Sequence, residues 1–151
     1  MFIGQNGGNQ FSLDIMDYQF PGNRSNTFDA NWLTIKIVAM IKEGQWEKQD
    51  PALLTWEVQQ LIDWLKLVIA DQEQWRCLAF TEPSIWFEIA DKQGENVVLA
   101  VYLSLEFKAP GQKGDRTTLL IETTKDQLAQ WVEFLQRRLD QYPMQVIVPS
   151  F

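Results

Sequence analysis

Phe11, Leu13 and Ile15 alternate with Ser12, Asp14 and Met16, the period of two that marks a strand with one buried face. The same alternation returns from Trp32 to Lys42, where Leu33, Ile35, Ile37, Ala39 and Ile41 line one side. Glu43-Gly44 then predicts a turn into Gln45-Trp46-Glu47-Lys48, so the pair reads as a hairpin. Ile85, Phe87 and Ile89 form a further strand, and Val97, Leu99, Val101, Leu103 and Leu105 another, with Asp91 to Glu95 turning between them. Leu119 and Ile121 supply one more after the loop Ala109 to Asp115.

Helical spacing appears at Val58, Leu61, Ile62, Leu65, Val68 and Ile69, with Thr55 as the candidate cap after Asp50-Pro51. It recurs at Leu128, Trp131, Val132, Leu135 and Leu139, opened by Thr124 to Gln127 in the pattern of a capping box and stopped before Pro143. The two stripes share an apolar register, but the segments preceding them do not align, which argues against an internal repeat. Strands come in runs without alternating helices. The expectation is therefore an α+β fold, a mostly antiparallel sheet of about six strands with two amphipathic helices packed on one face. Residues 1–151 read as one domain, with 1–10 a flexible or turn lead and 144–151 a C-terminal tail.

Two helices cover one broad face of such a sheet, so the other is expected to be open. Even-numbered strand positions include Met16, Trp32, Val38, Met40, Trp46, Trp86, Val98, Tyr102 and Leu120 beside Asp14, Lys36, Glu88, Glu106 and Glu122. Aromatic and acidic residues mixed on an exposed face form a candidate surface for a protein partner or for dimerisation. The residues proposed to contribute are Trp32, Trp86, Tyr102, Glu88, Glu106 and Glu122. A curled sheet, or cover by loops and tail, is the competing structural reading. Trp56 and Leu67, opposite the first helical stripe, read as contacts to a neighbouring segment or as exposed anchors.

Composition sharpens this picture mainly by exclusion. The chain has no histidine, which removes the commonest general base and metal ligand near neutral pH, while seven Trp, nine Phe and three Tyr favour packing and recognition. A net charge of −7 is the wrong sign for nucleic acid or an anionic membrane; it suits a basic protein, and equally suits simple solubility. Cys77 stands alone, so intrachain disulfides and cysteine zinc spacing are excluded, a reducing compartment is implied, and the residue reads as core packing. With no signal-like N-terminus and no apolar run long enough to span a bilayer, the expectation is a cytoplasmic protein. The sequon Asn23-Arg24-Ser25 is then coincidental.

Candidate chemistry is sparse. Asp14 with Asp17, or Asp29 with Asn31, could join distant oxygens around a hard cation, but turn and cap roles explain both pairs more simply. No metal or cofactor is assigned. Gly4-Gln5-Asn6-Gly7-Gly8 lacks the spacing and the lysine of a phosphate loop. A carboxylate pair could hydrolyse a glycoside, yet no pair stands out among twenty acids. The reading is non-enzymatic binding, with a homo-oligomer as the alternative and a carboxylate hydrolase behind it.

Three segments are more individual: Asp29-Ala30-Asn31-Trp32-Leu33, Phe80-Thr81-Glu82-Pro83-Ser84-Ile85-Trp86-Phe87, and Gln136-Arg137-Arg138-Leu139-Asp140-Gln141-Tyr142-Pro143. With Glu57 to Leu65 between the first two, residues 11–145 resemble the WapI-type family of small bacterial immunity proteins. That resemblance implies a protein that neutralises a toxin, typically a contact-delivered or polymorphic toxin with a nuclease domain, by occupying a surface on it. Met144 departs from the family pattern, which has a basic residue after the final proline. The motif residues themselves read as structural: Trp32 packing over the hairpin, Asn31 bonding its own loop, and Glu82-Pro83 bending the chain into the strand that carries Trp86.

Overall fold

The computed structural model describes residues 1–22 and 25–148; Asn23 and Arg24 of the sequon, and residues 149–151 of the tail, lie outside them. Among the described residues the strands form two four-stranded antiparallel sheets. The first sheet holds β1 (Phe2–Ile3), β2 (Gln10–Tyr18), β3 (Trp32–Ile41) and β4 (Gly44–Leu54) in sequential order. The second holds β5 (Cys77–Leu78), β6 (Ile85–Gln93), β7 (Asn96–Ser104) and β8 (Arg116–Thr124). A one-turn helix α1 (Thr27–Ala30) precedes β3, and a long helix closes each half: α2 (Thr55–Ile69) follows β4 and α3 (Lys125–Asp140) follows β8.

The α+β class and its antiparallel pairing are as expected, but one sheet of about six strands is replaced by eight strands in two sheets. The two additional strands, β1 and β5, are two residues long, too short for alternation to register. Each half runs four strands then a helix. The repeat set aside on sequence is thus present in the order of elements.

The odd face of each sheet is buried. Phe11, Leu13, Ile15, Leu33, Ile35, Ile37, Phe87, Leu99, Val101 and Ile121 are fully enclosed, and one cluster joins them to the apolar stripes of α2 and α3. At its centre Phe11 of β2, Phe87 of β6 and Trp131 of α3 meet edge to face, with centroids 6.3 to 6.4 Å apart.

Register decides which side chains join that core. Across the turn at Lys42-Glu43, Ala39 pairs with Trp46, so an even residue of β4 faces inward with an odd residue of β3. Trp46, counted on sequence among the open-face positions, is buried there, its indole N–H donating to the Phe107 carbonyl (3.2 Å). In β2 and β6, bulges at Met16 and Ala90 absorb one residue each. β4 itself runs on through Asp50-Pro51 to the helix; proline is tolerated because β4 is an edge strand.

Polar side chains fix the places where chain leaves sheet. Asn31, fully buried, donates to the carbonyls of Thr27 and Gln145 (both 2.6 Å) and accepts from the Thr55 hydroxyl and the Gln145 N–H (both 2.8 Å). It thereby ties α1, the start of α2 and the C-terminal segment together. Thr55 is the first residue of α2 and not its cap; the end is closed by Glu57, whose carboxylate accepts from the Leu54 N–H (2.9 Å) and the Thr81 N–H (2.7 Å). Thr124 caps α3 as expected, accepting from Gln127 N–H, while the Gln127 amide brackets both backbone groups of Gly4 (2.8 and 3.3 Å). Gly4 has a φ of 119°, and a Cβ there would collide with the Asn9 carbonyl.

At the far end of α3, Arg138 pairs with Asp14 (2.7 Å) and bonds the Ile15 carbonyl (2.5 Å), while the Tyr142 hydroxyl donates to the Met16 carbonyl (2.9 Å). Those carbonyls sit at the β2 bulge, where the ladder is interrupted. An ion-pair cluster joins the halves: Lys92 meets Asp71 (2.6 Å), Glu73 (2.9 Å) and the Val68 carbonyl (2.9 Å), and Lys125 meets Asp71 (2.6 Å).

Asn31→Ala is expected to cost about 3 kcal/mol in urea unfolding, since it strands the Thr55 hydroxyl and the Gln145 amide. A loss below about 1 kcal/mol would show that water replaces the side chain. Hydrogen bonds from Lys125 and Lys92 lower the Asp71 carboxyl from 3.8 to about 2. A lowered carboxyl stabilises above its unfolded pKa and loses that contribution as pH falls through the folded one. Thermal melts between pH 3.8 and about 2 should therefore show a declining Tm whose slope is reduced in Asp71→Asn; an unchanged slope would dismiss this cluster as a source of acid sensitivity.

Candidate protein-binding face

Burial of the odd face leaves the even face of the second sheet outward. The β6 bulge at Ala90 sets Trp86 opposite Tyr102, and the rings stack with centroids 5.1 Å apart and planes at 13°. β8 adds Arg116, two residues along from Thr118, the register partner of Tyr102, with its guanidinium carbon 5.0 Å from the Tyr102 centroid and 5.8 Å from that of Trp86. The Tyr102 hydroxyl donates to the Glu88 carboxylate (2.8 Å). That bond favours the neutral phenol and raises its pKa, with burial and the Glu88 charge adding to the rise and Arg116 opposing it. Along β8 the face continues through Leu120, 52% exposed, to the exposed Glu122.

Trp86, Glu88, Tyr102 and Glu122 thus share one face, but the other two candidates do not. Trp32 opens β3 in the first sheet, half-buried, with Phe28 edge-on at 5.6 Å and Trp56 on the far side of Phe28 at 6.3 Å. Glu106 was placed on a strand that ends too early to carry it: the chain leaves β7 at Ser104, Leu105 takes a φ of 52°, and Leu105–Phe107 form a 3₁₀ turn. Glu106 there lies near Asp50, whose carboxyl is raised by burial first and then by Glu106 and Glu82. Arg116 was missed, because it falls just before the apolar pair from which β8 was read.

The remaining candidates take structural places. Asp14 holds Arg138, Asp17 accepts from the Tyr18 N–H (2.7 Å), and Asp29 bonds Asn26 (2.8 Å). Among the described residues no group of three or more acidic or cysteine side chains could hold a metal ion. Cys77 pairs with Glu88 across β5 and β6 and is exposed, not core; burial of the sulfur and the Glu88 charge raise its pKa, which disfavours the nucleophilic thiolate. Leu67 is exposed, and Trp56 contacts Phe28. No helix among the described residues is long and apolar enough to cross a membrane.

In this mixed α+β chain the second sheet thus carries stacked rings, a guanidinium and carboxylates on its outward face. The sequence profile of the Immunity protein WapI-like family matches residues 1–143, and the chain belongs to that family. Among curated proteins none matches it.

Replacing Glu88 by Gln removes the charge that holds the Tyr102 phenol protonated. The ring resonance of Tyr102, followed by NMR through alkaline pH, should then titrate at lower pH than in the parent. An unmoved midpoint would show that the hydrogen bond and burial set it without the Glu88 charge.

Proposed function

We propose that this chain is a non-enzymatic, cytoplasmic immunity protein that neutralises a bacterial toxin by contact, docking the open face of its second sheet on a basic toxin domain. The observation that carries this reading is the outward-facing array of half-buried Trp86, Tyr102 and Glu88 beside exposed Leu120 and Glu122. Family membership supports the immunity role. A nuclease domain suits the charge, because a protein that grips nucleic acid is basic and this chain carries −7. The acids speed encounter, and the rings, already ordered by stacking, supply residence time at small entropic cost. Residues 1–151 act as one domain in this proposal.

The test uses the C-terminal domain of a toxin encoded beside this chain, with binding kinetics at several salt concentrations. Trp86→Ala should accelerate dissociation by roughly 30-fold, the weight of a central aromatic anchor. Glu122→Lys should slow association and flatten its salt dependence. Unchanged kinetics in both variants would remove this face from the interface. Sedimentation over a concentration range separates the homo-oligomer reading: a tight dimer abolished by Trp86→Ala would mean that the face serves self-association instead.

A further inference from the structure

At the end of the open face away from Arg116 lies a cavity of about 410 Å³ lined by Gln5, Gly8, Asn9, Val98, Leu120 and Glu122. Its walls come from both halves of the chain. Val98 and Glu122 are register partners on β7 and β8, and Leu120 is the next residue on the same face. The segment Gln5 to Asn9 overhangs them, held at its start by the Gln127 amide on Gly4 and at its end by Asn9, whose amide donates to the Leu120 carbonyl (3.1 Å). The Gly8 N–H also closes a turn onto the Gln5 carbonyl (3.0 Å). The opening is therefore built before any partner arrives, which lowers the cost of ordering on binding.

Its chemistry is that of a socket for a long cation. Val98 and Leu120 give an aliphatic wall against which a methylene stem can lie, and Leu120 is 52% exposed. Glu122 supplies a carboxylate that makes no hydrogen bond or ion pair among the described residues, so its charge is uncommitted. Acidic side chains would be repelled there, and neutral amides would forgo the charge-assisted bond. Arginine suits it better than lysine, because a planar guanidinium meets a carboxylate with two parallel hydrogen bonds.

The geometry points to this cavity as the specificity socket of the face, receiving an arginine side chain from the basic partner. The assignment rests on the toxin reading above and adds to it the class of residue that the partner must present. It also divides the face by charge. Arg116 at the start of β8 and Glu122 near its end stand roughly 20 Å apart at the rise of an extended strand. A matching surface places its arginine at the Glu122 end and keeps cations away from Arg116.

The probe is N-acetyl-arginine amide, titrated into the isotope-labelled chain and followed by amide NMR, with N-acetyl-citrulline amide as the uncharged analogue. Saturable shifts are expected at Asn9, Val98, Leu120 and Glu122, with citrulline, or the arginine probe on Glu122→Gln, binding roughly tenfold more weakly. No saturable shift at these amides, an equal response to both probes, or an unaltered response in Glu122→Gln would overturn the socket. Because the titration needs no toxin, the two readings fail separately. A silent cavity in a chain that still captures the toxin domain removes the socket alone, whereas a responsive cavity in a chain that captures no toxin domain leaves the socket standing and removes the toxin reading.

Discussion

Edge-to-face contact among Phe11, Phe87 and Trp131 is the meeting point on which the fold depends, since it brings one strand from each sheet and the helix α3 into a single core. Such contacts contribute about 0.5–1.5 kcal/mol per pair beyond the area they bury. Their larger effect is on direction. Once Phe11 and Phe87 point inward, every second residue of their strands follows, and the alternate residues have nowhere to go but outward. The exposed face bearing Trp86, Glu88 and Tyr102 is thus a consequence of core packing, and its aromatic content is a choice the core does not require.

Holding two sheets in that relation demands control of the points where the chain leaves them. Asn31, Glu57, Gln127 and Arg138 all bond to backbone at such points. A satisfied hydrogen bond adds only about 1 kcal/mol, but stranding a buried partner costs about 1–3 kcal/mol, so these side chains specify geometry more than they add stability. They also account for the segments that carry the family resemblance. Asn31 is the centre of one, Thr81 and Pro83 of the second bond to Glu57 and Ser104, and Arg138 and Tyr142 of the third grip the β2 bulge. A family recognised through such residues is recognised through its joints.

This explains what could be read from sequence and what could not. The long strands, both long helices and the Thr124 cap were legible, because each writes its own period or local motif. β1 and β5 were not, since two residues carry no period. Trp46 was put on the wrong face for a related reason: parity along one strand is visible, but parity between strands depends on the turn at Lys42-Glu43 and on bulges at Met16 and Ala90. One residue more or less in a turn exchanges core for surface. Trp32 fell away because β3 belongs to the first sheet and Glu106 because the chain leaves β7 at Ser104, whereas Trp86, Glu88, Tyr102 and Glu122 stayed together because β6 pairs with β7 without a break from Ile85 to Ile89 and β7 with β8 throughout. Arg116 was invisible as a site residue, since its role comes from leaning across a strand pair and from nothing in its own segment.

The missing histidine takes on a different meaning in this setting. On sequence it excluded most catalytic machinery; on the open face it removes the side chain whose charge ordinarily changes between mildly acidic and mildly alkaline pH. The phenol of Tyr102 is moved further from neutrality by Glu88, so that group holds its state as well. In the proposed reading, recognition by such a face answers to ionic strength, through screening of Arg116, Glu88 and Glu122.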